Sequence, residues 1–506
     1  MKIPLDRQAP TPIYLQIHDR IASLIHKGHL SPGAQLPSIR KLAQTAQVNK
    51  LTVMEAYSVL EADGLVQAKR GAGYFINSPD KRQPLISRPQ KTIRESTGET
   101  AAESAAANIS LTPTFNPTQT VILPGQGVDS FPATYRASIH SHEQSGYIDF
   151  SQGFCQPVGA EELQRIARRA MKSSATFFRN VSPEGDRTLR SQIAQLLIQQ
   201  GLEISPDNII LTNGSMQALS LLVDHFVEAG DWVIVEAPTY HGFLSVLQQR
   251  NAQVIGIPMT ATGMNLELLA QYLKSHRPKL IYTISTLHNP TGITTTLSHR
   301  RALLQLANQY NCQIIEDNAY EPLSFGLTPP PIKALDTSDR AIYIGTFSKA
   351  LMPGLRVGYM AITGEEKAAL SDRKLLHDFH ISTASQAIVK EYLTTGHYRR
   401  RLDKIRKLHR TRRDFVLSAI VRHFPENVTW TVPDGGTFLW VQLPDGICLK
   451  TLVAEAAQQK VLIGSGAGFF PTERGYPAFR LNFSLPPEVS EKGIQRIGSI
   501  LKRLTA

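Results

Sequence analysis

Lys349 lies in TFSKALMPGLRVGY, directly after an apolar strand-like run and before a glycine-and-arginine stretch able to hold a phosphate. A lysine so placed is suited to condense with an aldehyde as a Schiff base. A cofactor with an aldehyde, a phenolic oxygen, a ring nitrogen and a phosphate needs one amine, one phenol, one carboxylate and an anion cradle. The C-terminal part of the chain offers all four. Lys349 supplies the amine, while Thr346, Ser348 and Arg356 can meet a phosphate with hydroxyls and a guanidinium. Gly214, Ser215 and Met216 stand where a strand passes into a helix, so backbone N–H groups and the Ser215 hydroxyl would face the same phosphate at the positive helix end. Asp317 would pair with the ring nitrogen, Asn289 and Tyr320 would hydrogen-bond the ring oxygen, and Tyr240 could stack on the ring face. Taken singly, these residues have plainer readings as a solvated lysine, a helix cap, a core phenol and a packing ring. Their order along the chain is what joins them.

The elements that must position them are legible in the alternation of apolar strands with amphipathic helices from about Ile148 onward, which predicts an open, mainly parallel sheet. Ligands of such sheets sit at strand C-termini. NIILTNGSMQAL, WVIVEAPTYHGF, KLIYTISTLHNPTG, QIIEDNAY and AIYIGTFSKA each run from a strand into a polar cluster, so five clusters converge on one edge. Gly153, in a loop before the main sheet, is a weak candidate for a backbone contact to substrate, and packing is at least as plain a reading.

The N-terminal part is built differently. Tyr14, Ile17, Ile21 and Leu24 recur at helical spacing after Pro12, and Ser38 to Gln44 reads as a second helix with Ile39 and Leu42 inward. A third helix begins near Asn49, a good N-cap, with Val53, Ala56, Tyr57 and Leu60 on one buried stripe and the opposite face left to touch something else. LVQAKRGAGYFI then reads as a hairpin with a basic tip at Lys69, Arg70 and Gly71, a wing.

Between the two parts, from Asn77 to Tyr147, periodicity gives way to Ser, Thr, Pro, Ala and Gly. This predicts a flexible linker of roughly 70 residues, with a reach on the order of 45 Å. A chain of 506 residues, 42% apolar and 19% charged, is expected to be soluble and of more than one domain. Its formal charge of +12 suits a polyanionic partner. Cys155, Cys312 and Cys448 are far apart and in no metal-ligand spacing, so neither a disulfide framework nor a zinc site is expected. No apolar run is long enough for a signal peptide core or a bilayer span, which points to the cytoplasm and away from a membrane. The basic run Tyr398 to Arg413 carries Tyr398, Leu402, Ile405 and Leu408 at helical spacing and reads as a solvated helix face rather than a DNA contact.

HNPTG, the aspartate and tyrosine three apart in EDNAY, and SKALMPGLRVGY match a family pattern position by position: residues 148–506 resemble a fold-type I, class I/II aminotransferase. The resemblance implies pyridoxal 5'-phosphate as cofactor and a mainly parallel sheet with a smaller α+β subdomain. It also implies that Arg480 in FRLNFS grips a substrate α-carboxylate, for which a bidentate guanidinium pair is the physical reason. Residues 1–76 resemble the GntR-type winged helix-turn-helix through PIYLQI, PGAQLPSIRKLA, TVMEAY and GAGYF, and the fusion resembles MocR-type transcriptional regulators. The chain is thus expected to be multi-domain, with a head at 1–76, a linker at 77–147 and a body at 148–506. By carry-over, Arg40 would touch a backbone phosphate, Lys50 and Thr52 would enter the major groove, and Arg70 with Gly71 would form the wing contact. Asn49-Lys50 stands where serine-arginine is usual, and lysine cannot make the arginine fork. Asn180 stands where a tyrosine usually reaches the partner subunit's phosphate.

The function these readings imply is a pyridoxal phosphate-dependent transcription regulator that binds double-stranded operator DNA as a homodimer. It would respond to an amino acid, an amine or the cofactor itself. The alternative is an aminotransferase acting on an α-amino acid, with the head as an appended DNA-binding module.

Overall fold

The computed structural model describes residues 5–6, 9, 11–26, 30, 33–69, 73–77, 121–122, 136, 146–153, 160–173, 177, 179–471 and 475–505. Most of the expected linker lies outside these residues, as do Arg70 and Gly71 at the wing tip.

The head is three helices and a hairpin. Ile13–His26 buries Tyr14, Ile17, Ile21 and Ile25, so its stripe drifts onto Ile25 while Leu24 is only partly covered. Ile39–Ala46 is capped by Ser38, whose Oγ accepts from Lys41 N–H, and Lys50–Ala62 by Asn49, whose Oδ1 accepts from Leu51 N–H. Val53, Ala56, Tyr57 and Leu60 are wholly buried. Val66–Lys69 and Gly73–Ile76 pair antiparallel, as the wing reading expected.

The body's main sheet runs in the order Val121–Ile122, Gln253–Thr260, Trp232–Ala237, Leu280–Thr283, Gln313–Asp317, Ala341–Thr346, Val357–Ala361, Ile209–Asn213. Its centre is parallel, and Val357–Ala361 runs antiparallel to both neighbours. The edge strand Val121–Ile122 pairs antiparallel with Gln253–Thr260, so part of the expected linker belongs to the sheet. A smaller antiparallel sheet of Thr429–Trp430, Phe438–Gln442, Ala478–Asn482 and Gly464–Ser465 packs under the helices His397–His423, Leu449–Gln458 and Pro487–Thr505.

The head sits on the body. Ile198, from the helix Arg187–Gln199, is part of the head's own core, and Tyr14 OH donates to Gln199 O at 2.9 Å. Leu189, Ile193 and Leu197 of that helix enter the body core that contains Tyr320, Phe347 and Leu351. One helix therefore belongs to both cores.

The basic run forms part of His397–His423. Arg401 is buried and donates to Ala350 O and Leu351 O, Arg406 to Pro322 O and Arg410 to Phe325 O, so these cations serve the body's own backbone.

Candidate functional site

Lys349 follows Ala341–Thr346 at the C-terminal edge of the sheet. Its Nζ donates to Gly153 O at 2.7 Å and lies 5.1 Å from the centre of the Tyr320 ring. Tyr320 OH donates to the same carbonyl at 3.0 Å. Gly153 thus holds both the amine and the phenol through its carbonyl, where a backbone contact to substrate had been expected. The segment before it is shaped by Asp149, whose carboxylate accepts from Ser151 N–H and Oγ–H at 2.8 and 2.6 Å and from Gln152 Nε2 at 2.7 Å.

Asp317 ends the strand Gln313–Asp317 and is 4% exposed. It accepts from Tyr282 OH at 2.9 Å and from Ala319 N–H at 3.1 Å, and burial pushes its carboxyl up against those two bonds. Tyr282 in turn stacks on Phe243, with ring centres 4.0 Å apart. Tyr240 is partly buried, with its OH on Met216 Sδ at 3.4 Å.

Arg480 is 3% exposed. Its NH1 donates to Asn289 Oδ1 at 2.8 Å and its NH2 to Ser151 O at 2.7 Å, with the guanidinium 4.1 Å from the Phe438 ring and 4.9 Å from the Phe469 ring. Its Nε is buried with no hydrogen-bond partner among the described residues. Burial lowers the group to about 10, yet no carboxylate pairs with it among the described residues. A buried cation left in this state is suited to receive an anion from outside. His241, missed in the sequence although it follows Tyr240 directly, is held down to about 3 by burial and by the charges of Arg480 and Lys349, so it stays neutral at physiological pH.

The second cluster surrounds the start of the helix Gly214–Phe226, whose Asn213 cap makes no side-chain bond, leaving first-turn N–H groups available to an anion. Arg356 folds over it, with NH2 donating to Asn213 O at 3.3 Å and NH1 to Ser348 Oγ at 3.5 Å. Ser348 is set by Thr346, whose Oγ1 donates to Ser348 Oγ at 3.1 Å and accepts from Ser348 N–H at 3.1 Å. Two glycines keep the cradle open. A Cβ on Gly214, at φ +73°, would collide with the Arg356 guanidinium, and one on Gly358 would lie 2.5 Å from Gly214 C and 2.8 Å from Ser215 N.

These observations fit a group with a phosphate, a ring nitrogen and a carbonyl. The uncapped helix start with Ser215, Met216, Ser348, Thr346 and Arg356 suits the phosphate, Asp317 the ring nitrogen and Lys349 the carbonyl. Among the described residues no cluster of His, Cys, Asp or Glu is arranged to hold a metal ion, and no helix is long and apolar enough to cross a membrane. Asn180 is exposed, its Oδ1 3.3 Å from His380 Nε2.

On the head, Arg40 and Lys50 are exposed. Thr52 is 2% exposed, and its Oγ1 donates to Glu203 Oε1 of the body at 3.1 Å. Glu55, one turn on, is also buried and lies 3.4 Å from Arg399 NH2. The face of the third helix expected to be open is covered, in this arrangement, by the body.

The family profile described as aminotransferase class I and II matches residues 145–497, and that of the bacterial regulatory proteins of the gntR family matches residues 13–76. The chain is 35% identical to an aromatic-amino-acid aminotransferase of Thermococcus litoralis over 68% of this chain and 83% of that one. It is 29% identical to the uncharacterized HTH-type transcriptional regulator YdfD of Bacillus subtilis over 98% of this chain and 97% of that one. Among solved structures, the α-aminoadipate aminotransferase LysN of Thermus thermophilus, complexed with N-(5'-phosphopyridoxyl)-L-leucine, superimposes with a TM-score of 0.69 at 30% identity. The overlap covers 74% of this chain and 95% of LysN.

Proposed function

Because the chain belongs to the class I and II aminotransferases and carries a GntR-family head in front of that body, we propose that it is a DNA-binding transcription regulator whose body senses an amino acid or amine through its cofactor. That cofactor is pyridoxal 5'-phosphate, which when bound supplies a reactive aldehyde and an electron-withdrawing ring. The chain's residues do the rest. Lys349 presents the amine, Asp317 holds a proton on the ring nitrogen, and Asn289 and Tyr320 flank the ring oxygen. Tyr240 covers one face, and the cradle of Ser215, Met216, Thr346, Ser348 and Arg356 binds the phosphate. Arg480 takes the effector's α-carboxylate, its guanidinium already oriented by Asn289 and Ser151 O. The protein works in the cytoplasm as a homodimer whose two heads read paired half-sites, with Arg40, Lys50 and the wing residues Arg70 and Gly71 on the DNA.

The observation that carries this reading is the helix Arg187–Gln199. It gives Ile198 to the head core and Leu189, Ile193 and Leu197 to the core around Tyr320 and Leu351. A shift in the body on effector binding reaches the head through packed side chains, provided the effector favours one arrangement over the other.

The test is DNA binding by the full chain, with cofactor bound, across a panel of amino acids and amines. The same panel is assayed for turnover with an oxo-acid acceptor. The regulator reading expects a change of DNA affinity with one class of effector. Sustained multiple turnover with DNA affinity indifferent to every compound would overturn it in favour of an aminotransferase with an appended head.

A further inference from the structure

Where the head meets the body there is a cavity of about 540 Å³, on the far side of the cofactor cradle, which it touches at Thr346. This size is typical of sites for drug-sized ligands. The head contributes Tyr14 and Leu15, and the body contributes Phe347, Tyr359, Tyr398 and the Glu321 carboxylate. The aromatic rings belong to the sheet and helix behind Lys349, so the cavity lies between the DNA-reading head and the back of the cofactor site.

Glu321 is the anionic group of this space. Its carboxylate accepts from Gln200 Nε2, and Gln200 is held from its other end by Tyr343 OH at 2.9 Å. Among the described residues it makes no ion pair. Arg300, whose charge reaches it, spends its N–H groups on Ser285 O, Pro329 O and Pro330 O. Arg406, partly exposed, also lines the cavity, with its Nε on Pro322 O at 2.9 Å and its NH1 4.0 Å from Asp403. A carboxylate among aromatic rings is the arrangement that recognises ammonium groups, through charge on one side and ring faces on the others.

We propose that this cavity is a second ligand site, taking a small organic cation whose ammonium meets Glu321 and whose apolar body lies against Tyr14, Phe347, Tyr359 and Tyr398. Because its walls come from both head and body, its ligand bridges them. Burial pushes Glu321 up to about 7, against the pull of Arg406 and Arg300, while the phenols of Tyr343, Tyr359 and Tyr398 are pushed further above neutrality. A cation needs the ionised carboxylate, so binding strengthens as pH rises through that value.

The probe is benzyltrimethylammonium, a permanent cation with no N–H and so unable to condense with an aldehyde. Its affinity for the full-length protein with cofactor bound is measured by titration calorimetry at pH 6 and pH 8, beside the anion 3-phenylpropionate. The expected result is cation binding that is about tenfold tighter at pH 8, from the change in ionised fraction of a group near 7, with no comparable binding of the anion. Glu321→Gln should weaken the cation at least tenfold and remove the pH dependence. Leu15→Trp, which fills the cavity from the head side, should abolish binding while Glu321 is still present. Both variants should keep the cofactor's visible absorbance, which separates this result from any failure of the regulator reading. Binding unchanged in both variants, tighter binding of the anion, or no binding to the wild-type protein would each overturn the proposal.

Discussion

Arg480 brings together the site's electrostatic demands at a single residue: a fully buried cation, two of its donors committed and Nε left without a partner among the described residues. Lysine cannot present a planar fork, so Arg480→Lys should weaken an α-amino acid by about 10- to 100-fold, the worth of a charged hydrogen bond at roughly 1.5–3 kcal/mol. An amine lacking the carboxylate should bind as before, and titration of the cofactor's visible spectrum with matched pairs checks both. Borohydride reduction followed by peptide mapping should place the phosphopyridoxyl mass on Lys349, and Lys349→Ala should abolish it. Gly358→Ala tests the cradle, since its Cβ would intrude on the backbone around Ser215. Cofactor affinity should fall at least tenfold while the Lys349 adduct still forms at saturating cofactor, read by fluorescence titration and mass respectively. These side chains were legible in the sequence because each carries its chemistry in its residue type. The Ser151 carbonyl was not, since any residue supplies a backbone oxygen and only the fold aims it, and Gly153, read at most as a backbone contact to substrate, instead holds Lys349 and Tyr320.

Elements were read best where periodicity and capping agreed. Asn49 and Ser38 cap the helices they were expected to begin, and the stripe from Val53 to Leu60 is buried throughout. Val121–Ile122 went unread because two residues of edge strand have no period, and their partner Gln253–Thr260 is distant in sequence. Burial of Thr52 was equally invisible, since it depends on a second core arriving to cover that face. The same docking places Glu321 beneath the head, where burial raises it to about 7. A carboxyl raised from its unfolded value near 4.5 contributes stability that is fully present below that value and lost as pH rises through about 7. Glu321→Gln should therefore raise the melting temperature at pH 8 relative to wild type and leave the difference small at pH 5. The full shift bounds the effect at about 3 kcal/mol, and thermal unfolding at the two pH values measures it.

At the scale of the whole molecule, the contacts of the third helix set body and DNA in competition for the same face of the head. If Thr52 enters the major groove as the family resemblance implies, its Oγ1 cannot donate to Glu203 and face a base edge at once, and Glu55 beside Arg399 holds the same face against the body. On that assignment the docked chain binds DNA only after these contacts open, and its apparent affinity is reduced by the fraction that is open. Each contact is partly exposed, one a neutral donor on a carboxylate and the other a loose ion pair, so together they amount to about 1–2 kcal/mol. Glu203→Ala combined with Arg399→Ala should consequently tighten binding to a duplex selected by the wild-type chain about 5- to 30-fold, seen by fluorescence anisotropy. The slope of log affinity against log salt should stay the same, because no phosphate contact changes. Arg40→Ala should do the opposite, lowering affinity across all sequences and reducing that slope by about one. If the double variant binds no tighter than wild type, the head does not rest on the body in the DNA-free protein, and the coupling must run through the Arg187–Gln199 helix in another arrangement.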